Sequence, residues 1–357
     1  MRRKREPFLV PSQITLVVPG LLGPFPGADD EVFSAPPVPG LRGLLHAARP
    51  VPGGDDDADA WLCRRFGAQP SAKGEWPLAP LLAELELGAA GQDYWLRADP
   101  VHLRADRSCL VLFGPEQLAI RQEEANALVD GFNALYQADG LRLYAPTPNR
   151  WYLRLARPAR LATTPLPKVI GRSIDGVLPR GEDAREWHAR LNEIQMLFHA
   201  HAVNERRAEQ GRPAINSLWL WGGGRLPDAL QAQDAWVCSD DPLTRSLARA
   251  AGVALLEANG VPEDWLPDAL ARGPGLVVLD ACRQAQQYGD VQAWGERLQD
   301  LERQWWLPLQ GLRAQGRLPG LVLQAPPAVA YHIGAPHWWD RLRRSRPLSS
   351  YIVRLPD

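Results

Sequence analysis

The stretch that decides the fold is Ala235-Trp-Val-Cys238, followed by Asp241-Pro242 and later by Gly275-Leu-Val-Val-Leu-Asp280. The two apolar runs have the length and composition of buried strands. Asp241-Pro242 is typical of a helix start, because aspartate caps the first turn and proline fits its first position. The order strand, helix, strand predicts a βα unit of a parallel sheet.

The same alternation continues outward from this unit. Ile14–Val18 and Leu318–Gln324 predict further strands, and a long helix is predicted from about Val291 to Ala314. We therefore predict an α/β protein whose mostly parallel sheet is covered by helices on both faces. Ligands of such sheets bind beyond the carboxyl ends of the strands. The loops at that edge are predicted to follow Val18, Trp221, Cys238, Leu279 and Leu323.

The middle of the chain has a different pattern. Short strand-like runs between residues 94 and 113 precede a predicted helix from about Gln122 to Gln137, and Leu141–Tyr144 and Trp151–Leu155 return as strands. This block predicts a small α+β subdomain. The predicted organisation is thus 1–90 as the first part of the α/β core with long Gly- and Pro-rich loops, 91–165 as the subdomain or insertion, and 166–357 as the main core.

Composition excludes several classes of protein. A formal net charge of -1 supplies no general attraction to nucleic acid or acidic lipid. The apolar run after the basic amino terminus is broken by Pro19 and Gly20, so neither a signal peptide nor a membrane helix of about 20 apolar residues is predicted. The four scattered cysteines lack the spacing of a zinc site or a disulfide framework, which favours free thiols in a reducing cytoplasm.

A glycine-rich turn is the clearest candidate for binding a ligand. Ser217–Trp221 predicts a strand that runs into Gly222-Gly-Gly224. Three glycines let backbone amides approach a phosphate closely, and they equally permit a tight turn with positive φ. The turn matches neither a P-loop nor GxGxxG. Both interpretations stay open at this stage.

Two pairs of potential metal ligands have simpler explanations. His199 and His201 lie in a helix predicted from Asp183 to about Gln210, where residues two apart diverge by about 200° and cannot share one ion. A capping or interface role is favoured for them. Asp240-Asp241 follows a predicted strand, where metal-binding carboxylates often lie, but an ordinary helix cap is favoured.

Residues 191–224 resemble a known family. The segments that carry the resemblance are Leu191-Asn-Glu-Ile-Gln-Met196, His201-Ala-Val-Asn204-Glu-Arg206, Gly211-Arg-Pro213-Ala-Ile-Asn216 and Ser217-Leu-Trp-Leu-Trp-Gly-Gly-Gly224. They resemble RpfE-type bacterial regulatory proteins, named for the regulation of pathogenicity factors. More distantly, the stretch is similar to archaeal-type cofactor-independent phosphoglycerate mutases, which also carry an HxVNxxR stretch. The resemblance implies an alkaline-phosphatase-like core.

That superfamily implies two metal ions held by Asp and His residues, together with a serine nucleophile. Where the mutases end the first strand in Asp-Gly, this chain has Pro19-Gly20. Aligning a later Gly-Asp on Gly289-Asp290 places Arg283 at a metal-binding Asp and Gln287 at a His. The Asp-His that ends the final strand is replaced by Gln324-Ala-Pro326, and no serine matches the nucleophile. The resemblance therefore implies that the classical metal site is absent.

We accordingly expect a non-catalytic, degenerate member of the superfamily with a regulatory or binding role, and neither cofactor nor metal. The expected partner is a protein or a small phosphorylated ligand, and nothing indicates nucleic acid or membrane. The candidate ligand-binding residues are Asn204, Arg206, Asn216, Gly222, Gly223, Gly224 and Arg283. Arginine would supply charge to an anion, the asparagines hydrogen bonds and the glycine amides a cradle. The alternative for the residues between 204 and 224 is that they only fix a helix-to-strand connection, and for Arg283 that it is a residue on the surface of a helix.

Two other functions remain open from the sequence. One is an active metal-dependent phosphomutase or phosphatase with non-standard ligands, for which Asp240, Asp241, Asp280 and Asp290 are the candidates. The other is a sugar-binding surface built from some of the 14 tryptophans. It is less favoured because most of the tryptophans that fall in predicted helices lie on buried faces, which leaves Trp338-Trp339 as the exposed candidates.

Overall fold

The structure is a computed structural model that describes residues 14–25, 36–52, 57–88, 90–106, 109–326, 329–337 and 346–353. Its α-helices are α1 (Pro39–Ala47), α2 (Ala58–Arg65), α3 (Leu78–Leu87), α4 (Gln122–Tyr136), α5 (Ala184–His199), α6 (Ala202–Glu209), α7 (Pro242–Ala250), α8 (Pro262–Leu270), α9 (Arg283–Gln287), α10 (Val291–Leu301) and α11 (Leu307–Ala314). Its strands are β1 (Ile14–Val17), β2 (Arg49–Pro52), β3 (Tyr94–Asp106), β4 (Cys109–Phe113), β5 (Leu141–Thr147), β6 (Arg150–Leu155), β7 (Leu161–Ala162), β8 (Arg180–Gly181), β9 (Ser217–Gly224), β10 (Trp236–Ser239), β11 (Ala254–Leu256), β12 (Gly275–Val278), β13 (Gly320–Ala325) and β14 (Val329–Gly334).

The chain divides into two compact units. Unit 1 comprises Met1–Gly67 and Gln231–Asp357, and unit 2 comprises Ala68–Leu230. These boundaries differ from those predicted at 90/91 and 165/166. The reason is non-local pairing: β9 pairs with β3, and α3 packs on both strands, so residues on either side of the predicted subdomain fold with it.

Unit 1 contains the predicted α/β core. Its sheet has the order β11-β10-β12-β1-β13-β14-β2, in which the pairs from β11 to β13 are parallel and the last two pairs are antiparallel. Helices cover both faces, which confirms the predicted fold class. Every residue of the central strands β1, β10 and β12 is buried, as expected for apolar runs that are covered on both sides.

Unit 2 is built on an antiparallel sheet of order β4-β3-β6-β5, with β9 paired to β3. Most of the short strand-like runs predicted between residues 94 and 113 belong to one long strand, β3. The prediction that the strand at Ser217–Trp221 belongs to the parallel sheet is wrong, because β9 pairs antiparallel with β3 in unit 2. The loop after Trp221 therefore does not lie at the carboxyl edge of the parallel sheet.

Two predicted long helices are interrupted. The helix predicted from Asp183 to Gln210 is α5 and α6, separated where His201 adopts an extended backbone and its ring Nδ1 accepts from the Val203 amide at 3.2 Å. This confirms the capping role predicted for a histidine of the 199/201 pair. The helix predicted from Val291 to Ala314 consists of α10, a π-helical turn at Glu302–Trp306 and α11.

The π-helical turn buries a carboxylate that serves another helix. Helix α1 has no side-chain cap of its own, and Glu302 accepts hydrogen bonds from the amides of Gly40 at 2.5 Å and Leu41 at 3.1 Å. A carboxylate at a helix amino terminus satisfies otherwise unpaired amides and complements the helix dipole.

The tryptophans that fall in helices are mostly packed inward. Trp187, Trp294 and Trp305 are each less than a tenth exposed, as predicted. Trp338 and Trp339 lie outside the described residues. Within the described part of the chain, no helix combines the length and the apolar character needed to cross a bilayer.

Candidate functional site

Three carboxylates surround one guanidinium at the carboxyl edge of the unit 1 sheet. Arg283, the first residue of α9, donates from Nη1 to Asp59 of α2 at 2.5 Å and from Nε to Asp280, which follows β12. Asp241, which follows β10, is the third carboxylate. Burial acts to lower the pKa of Arg283, but these three negative charges outweigh it and hold the pKa above its ordinary value.

The guanidinium occupies the interior of this carboxylate cluster. The Arg283 side chain is 18% exposed, and its Nη2 is buried without a hydrogen-bond partner among the described residues. The surroundings of Asp280 disfavour its negative charge. Loss of solvation raises the pKa of Asp280 to about 6, Asp241 and Asp59 act in the same direction, and Arg283 opposes them.

Asp241 also caps a helix. Its Oδ2 accepts from the Thr244 amide at 2.8 Å and from the Thr244 hydroxyl at 2.6 Å, at the amino terminus of α7. Ser239 holds the loop in place, since its hydroxyl donates to the carbonyl of Val278 and accepts from the Asp241 amide. The cap predicted at Asp240-Asp241 is confirmed, and it is Asp241 that forms it.

The other candidate ligands of an active enzyme have separate positions. Asp290 caps α10 by accepting from the Ala293 amide at 2.9 Å, and Asp240 is exposed. Of the four carboxylates considered for non-standard ligation, only Asp241 and Asp280 contribute to the cluster around Arg283.

The turn after β1 is filled by packing contacts. Gly20 has φ +75°, and a Cβ at this position would lie 2.8 Å from the carbonyl oxygen of Cys282. The carbonyl of Gly20 accepts from the Trp294 indole at 3.1 Å. The turn thus requires glycine for close approach, and its Pro19 offers no side-chain ligand at the position where the resemblance implies an aspartate in the mutases.

The described residues do not fit a pair of divalent cations. No group of three or more His, Cys, Asp or Glu side chains among them has an arrangement that could hold a metal ion. Two of the three carboxylates at the sheet edge are bound to Arg283, and the third is engaged as a helix cap. Hard cations need several free anionic oxygens or imidazoles, which this arrangement does not offer.

The candidates in unit 2 are engaged by the backbone. Asn204 donates to the carbonyls of Phe198 and Ile215 and accepts from the Ile215 amide, each at 2.8 Å. Asn216 pairs with both backbone groups of Leu103 on β3, at 2.8 and 2.9 Å. These contacts fix the connection from helix to strand. Arg206 is exposed on α6, and Arg283 belongs to unit 1.

Sequence reasoning missed Arg207, the buried neighbour of Arg206. Arg207 donates to the carbonyls of Pro213 at 2.8 Å and Leu118 at 2.6 Å and to the Glu124 carboxylate at 2.9 Å. It is the arginine of the HxVNxxR stretch when the pattern is counted from His201. Its spacing of three residues from Asn204 places both on one helical face, a signal that was available in the sequence.

The three glycines of β9 form a bulge. Between the pairs Trp95–Gly224 and Arg97–Trp221 there are two residues on β9 and one on β3, and Gly222 has φ +65°. Packing also requires small residues here, because a Cβ on Gly223 would lie 2.7 Å from the Leu96 side chain. The positive φ at Gly222 and the close packing at Gly223 therefore explain why glycines occupy these positions.

An anion supplied by the chain itself nevertheless lies beside the bulge. The carboxylate of Glu75 accepts from the Thr163 amide at 3.2 Å and from the Thr163 hydroxyl, and the nearby Gly222 amide acts to lower its pKa. Burial raises the pKa of Glu75 to about 7, although these donors and Lys73 lower it. Burial and the neighbouring Glu75 raise the pKa of Tyr94 to about 12.

A separate cavity of about 420 Å³ lies on unit 2. Its lining includes charged residues of both signs: Asp139, Arg157, Arg160, Asp183, Glu186 and Arg190. Arg160 pairs with Asp183 at 2.9 Å and Arg190 with Glu186 at 2.7 Å. Because most of these charges already compensate one another, the cavity is a weaker candidate than the sheet edge or the bulge.

The sequence is similar to proteins described as phosphoglycerate mutases. The chain is 29% identical over 229 residues to a protein of Geobacter sulfurreducens described as a probable 2,3-bisphosphoglycerate-independent phosphoglycerate mutase, covering 61% of this chain and 57% of that protein. It is 27% identical over 148 residues to the 2,3-bisphosphoglycerate-independent phosphoglycerate mutase of Methanosarcina mazei, covering 40% of this chain and 37% of that protein. No family model matches the chain.

Among solved structures, the PH0037 protein from Pyrococcus horikoshii aligns over 95% of this chain and 92% of its own, with a TM-score of 0.56 and 14% identity. At that identity the likeness concerns the fold alone. The sequence matches indicate homology to the cofactor-independent phosphoglycerate mutases, within the alkaline-phosphatase-like superfamily. They span little more than half of the Geobacter protein and about a third of the Methanosarcina protein.

Proposed function

We propose that this protein is a non-catalytic homologue of the phosphoglycerate mutases, with a regulatory or binding role of the kind that its resemblance to RpfE-type proteins suggests. Its binding partner is proposed to be a small phosphorylated molecule or a protein that carries such a group. The free, mostly buried thiols fit a reducing compartment, so we also propose that the protein acts in the cytoplasm.

One observation carries the proposal. Two of the three carboxylates at the sheet edge, where ligands of parallel α/β sheets bind, are hydrogen-bonded to an arginine of the same chain. A guanidinium is permanently charged, fixed in position and unable to activate water or polarise a phosphate as a metal ion does. The turn after β1 adds to this, since Pro19-Gly20 is used for packing against α9 and α10.

The second candidate function is a working metal-dependent phosphomutase or phosphatase. It is favoured by the names of the two relatives, which are described as mutases. It would require Asp241 and Asp280 to exchange Thr244 and Arg283 for metal ions.

Turnover by the purified full-length protein separates the two functions. The substrates are p-nitrophenyl phosphate and 3-phosphoglycerate, each assayed with Mn²⁺, Mg²⁺ or Zn²⁺ added and after chelation. We expect no metal-dependent turnover above the uncatalysed rate. Activity that is stimulated by a metal and lost in Asp241→Asn and Asp280→Asn, but kept in the matched helix-cap variant Asp290→Asn, would establish the enzyme and overturn the proposal.

A further inference from the structure

The β9 bulge brings together hydrogen-bond donors from segments far apart in the sequence. The Gly222 amide comes from the bulge itself, and Thr163, which directly follows β7, supplies its amide and its hydroxyl. Lys73 contributes a positive charge from the loop before α3. Backbone amides, a hydroxyl and a nearby cation are the chemistry of an oxyanion site.

Glu75 occupies this site without an ion pair to any residue in the described part of the chain. The loop that carries it is held by Ser71, whose amide donates to the Glu75 carbonyl at 2.7 Å and whose hydroxyl accepts from the Glu75 amide at 3.2 Å. Lys73 lowers the pKa of Glu75 only in part, and its own Nζ donates to the Arg160 carbonyl at 3.0 Å. The carboxylate is therefore solvated by neutral donors more than by charge.

The groups that face Glu75 leave its charge poorly compensated. Burial raises the pKa of the carboxyl to about 7 despite the donors around it, and the titratable groups that interact with it are the Lys73 ammonium and the phenol of Tyr94 on β3. A group that is desolvated inside its own binding site is a weak internal ligand at neutral pH. An external anion with more oxygens would use the same donors without the constraint of the loop.

We propose that the β9 bulge is an oxyanion site for a sulfate- or phosphate-type group and that Glu75 is its internal competitor. Binding requires the Glu75 carboxylate to leave the donors or to take up a proton. The inference rests on the proposed binding role, to which it assigns a ligand class, but it does not depend on the absence of catalysis in unit 1.

Sulfate is the appropriate probe because its charge is constant around neutral pH. The full-length wild type, Glu75→Gln and Glu75→Ala are titrated with sulfate at about pH 8 against a chloride background of equal ionic strength, which separates binding from screening. Saturable increases in Tm give the apparent affinities. We expect both variants to bind sulfate at least about tenfold more tightly than the wild type, since a tethered competitor acts at an effective concentration in the millimolar range.

Two further measurements locate the effect. Lowering the pH from about 8 to about 6 protonates Glu75, so sulfate affinity is expected to rise in the wild type and to stay level in Glu75→Gln. Adding Thr163→Val to Glu75→Gln removes the hydroxyl donor and is expected to weaken sulfate binding by about tenfold. Glu209→Gln, an exposed carboxylate on α6, is the matched control and should behave as wild type.

Several results would overturn the inference. If neither Glu75 variant shows a saturable sulfate effect beyond chloride, Glu75 only anchors its loop and no oxyanion site exists. Should Glu75→Ala fail to fold, the nearly isosteric Glu75→Gln still decides the question. Equal affinities in wild type and Glu75→Gln, or affinities insensitive to Thr163→Val, would place sulfate elsewhere on the protein. None of these outcomes bears on metal-dependent turnover, so this inference and the proposed function fail separately.

Discussion

The sheet edge of unit 1 and the glycine bulge of unit 2 are both filled by the chain's own side chains, with opposite charges. At the edge, the Arg283 guanidinium lies among carboxylates that hold its pKa high. At the bulge, the Glu75 carboxylate lies among donors that do not offset its burial, and its pKa is about 7. The edge is therefore filled at every physiological pH, whereas the bulge is filled by a group whose charge is conditional. Under the two proposals above, the first arrangement removes a metal site, and the second makes an anion site dependent on competition with Glu75.

Removing the internal cation should have the largest effect. Arg283→Ala leaves Asp59, Asp280 and Asp241 close together without compensation, and we expect a loss of about 2 to 3 kcal/mol in the free energy of unfolding. This is below the usual range for a buried pair because the side chains of Asp59 and Asp280 are 20% and 37% exposed. Urea unfolding measures it.

The control for this change is Arg297→Ala, which removes a 57% exposed arginine paired with Asp300 at 3.4 Å. An exposed pair of this kind contributes less than about 1 kcal/mol. If the two variants lose similar amounts of stability, the guanidinium does not hold the carboxylate cluster together, and the contrast with the bulge disappears.

Within unit 2, a smaller effect on stability should distinguish residues that hold the fold together from residues that contact an anion. Asn204→Ala removes three hydrogen bonds and leaves buried backbone groups unpaired, so we expect about 2 kcal/mol of destabilisation. Arg206→Ala, on the exposed side of α6, should change stability by less than about 0.5 kcal/mol. Neither should alter the sulfate affinity of a Glu75→Gln background, and a large loss on removing Arg206 would show that it contacts the anion after all.

The smallest expected effect is a dependence of stability on pH. The pKa of Glu75 in the folded protein is above its ordinary value, so the folded state binds more protons than the unfolded state between about pH 4.5 and 7. The contribution of Glu75 to stability therefore falls as the pH rises through this window and is constant on either side. A pKa raised from 4.5 to about 7 corresponds to at most about 3 kcal/mol. Because Glu75 is only partly buried and solvent screens its charge, the free energy of unfolding of wild type minus that of Glu75→Gln is expected to fall by about 1 kcal/mol over this window. A difference that rises with pH would mean that the donors stabilise the charged carboxylate.

The sequence predicted most of the unit 1 core because its strands are local apolar runs. β1 and β12 each lie within a predicted run, β10 is shifted by one residue from its predicted run, and Asp241-Pro242 starts α7 as predicted. The domain boundaries could not be read in the same way, because the pairing of β9 with β3 joins residues more than 100 positions apart. The break at His201 depends on a ring nitrogen acting as a cap, which helical periodicity does not reveal.

The candidate sites were less predictable than the fold. Arg283 was singled out by its position in a family pattern, but its partner Asp59 is 224 residues away in the sequence, and no local pattern connects the two. The glycine turn was recognised as a place where amides could meet an anion, yet nothing in the sequence indicated that Glu75 supplies one. Asn204 and Asn216 carry a family resemblance because they build the scaffold, which shows that a distinctive motif need not mark a site.

The central claim is that Arg283 takes the place of metal at the carboxyl edge of the parallel sheet. Equilibrium dialysis of the full-length protein against Mn²⁺, with metal quantified by elemental analysis, tests it most directly. The account predicts no stoichiometric binding by the wild type at micromolar Mn²⁺. Retention of two Mn²⁺ ions per chain, reduced by Asp241→Asn or Asp280→Asn, would contradict it.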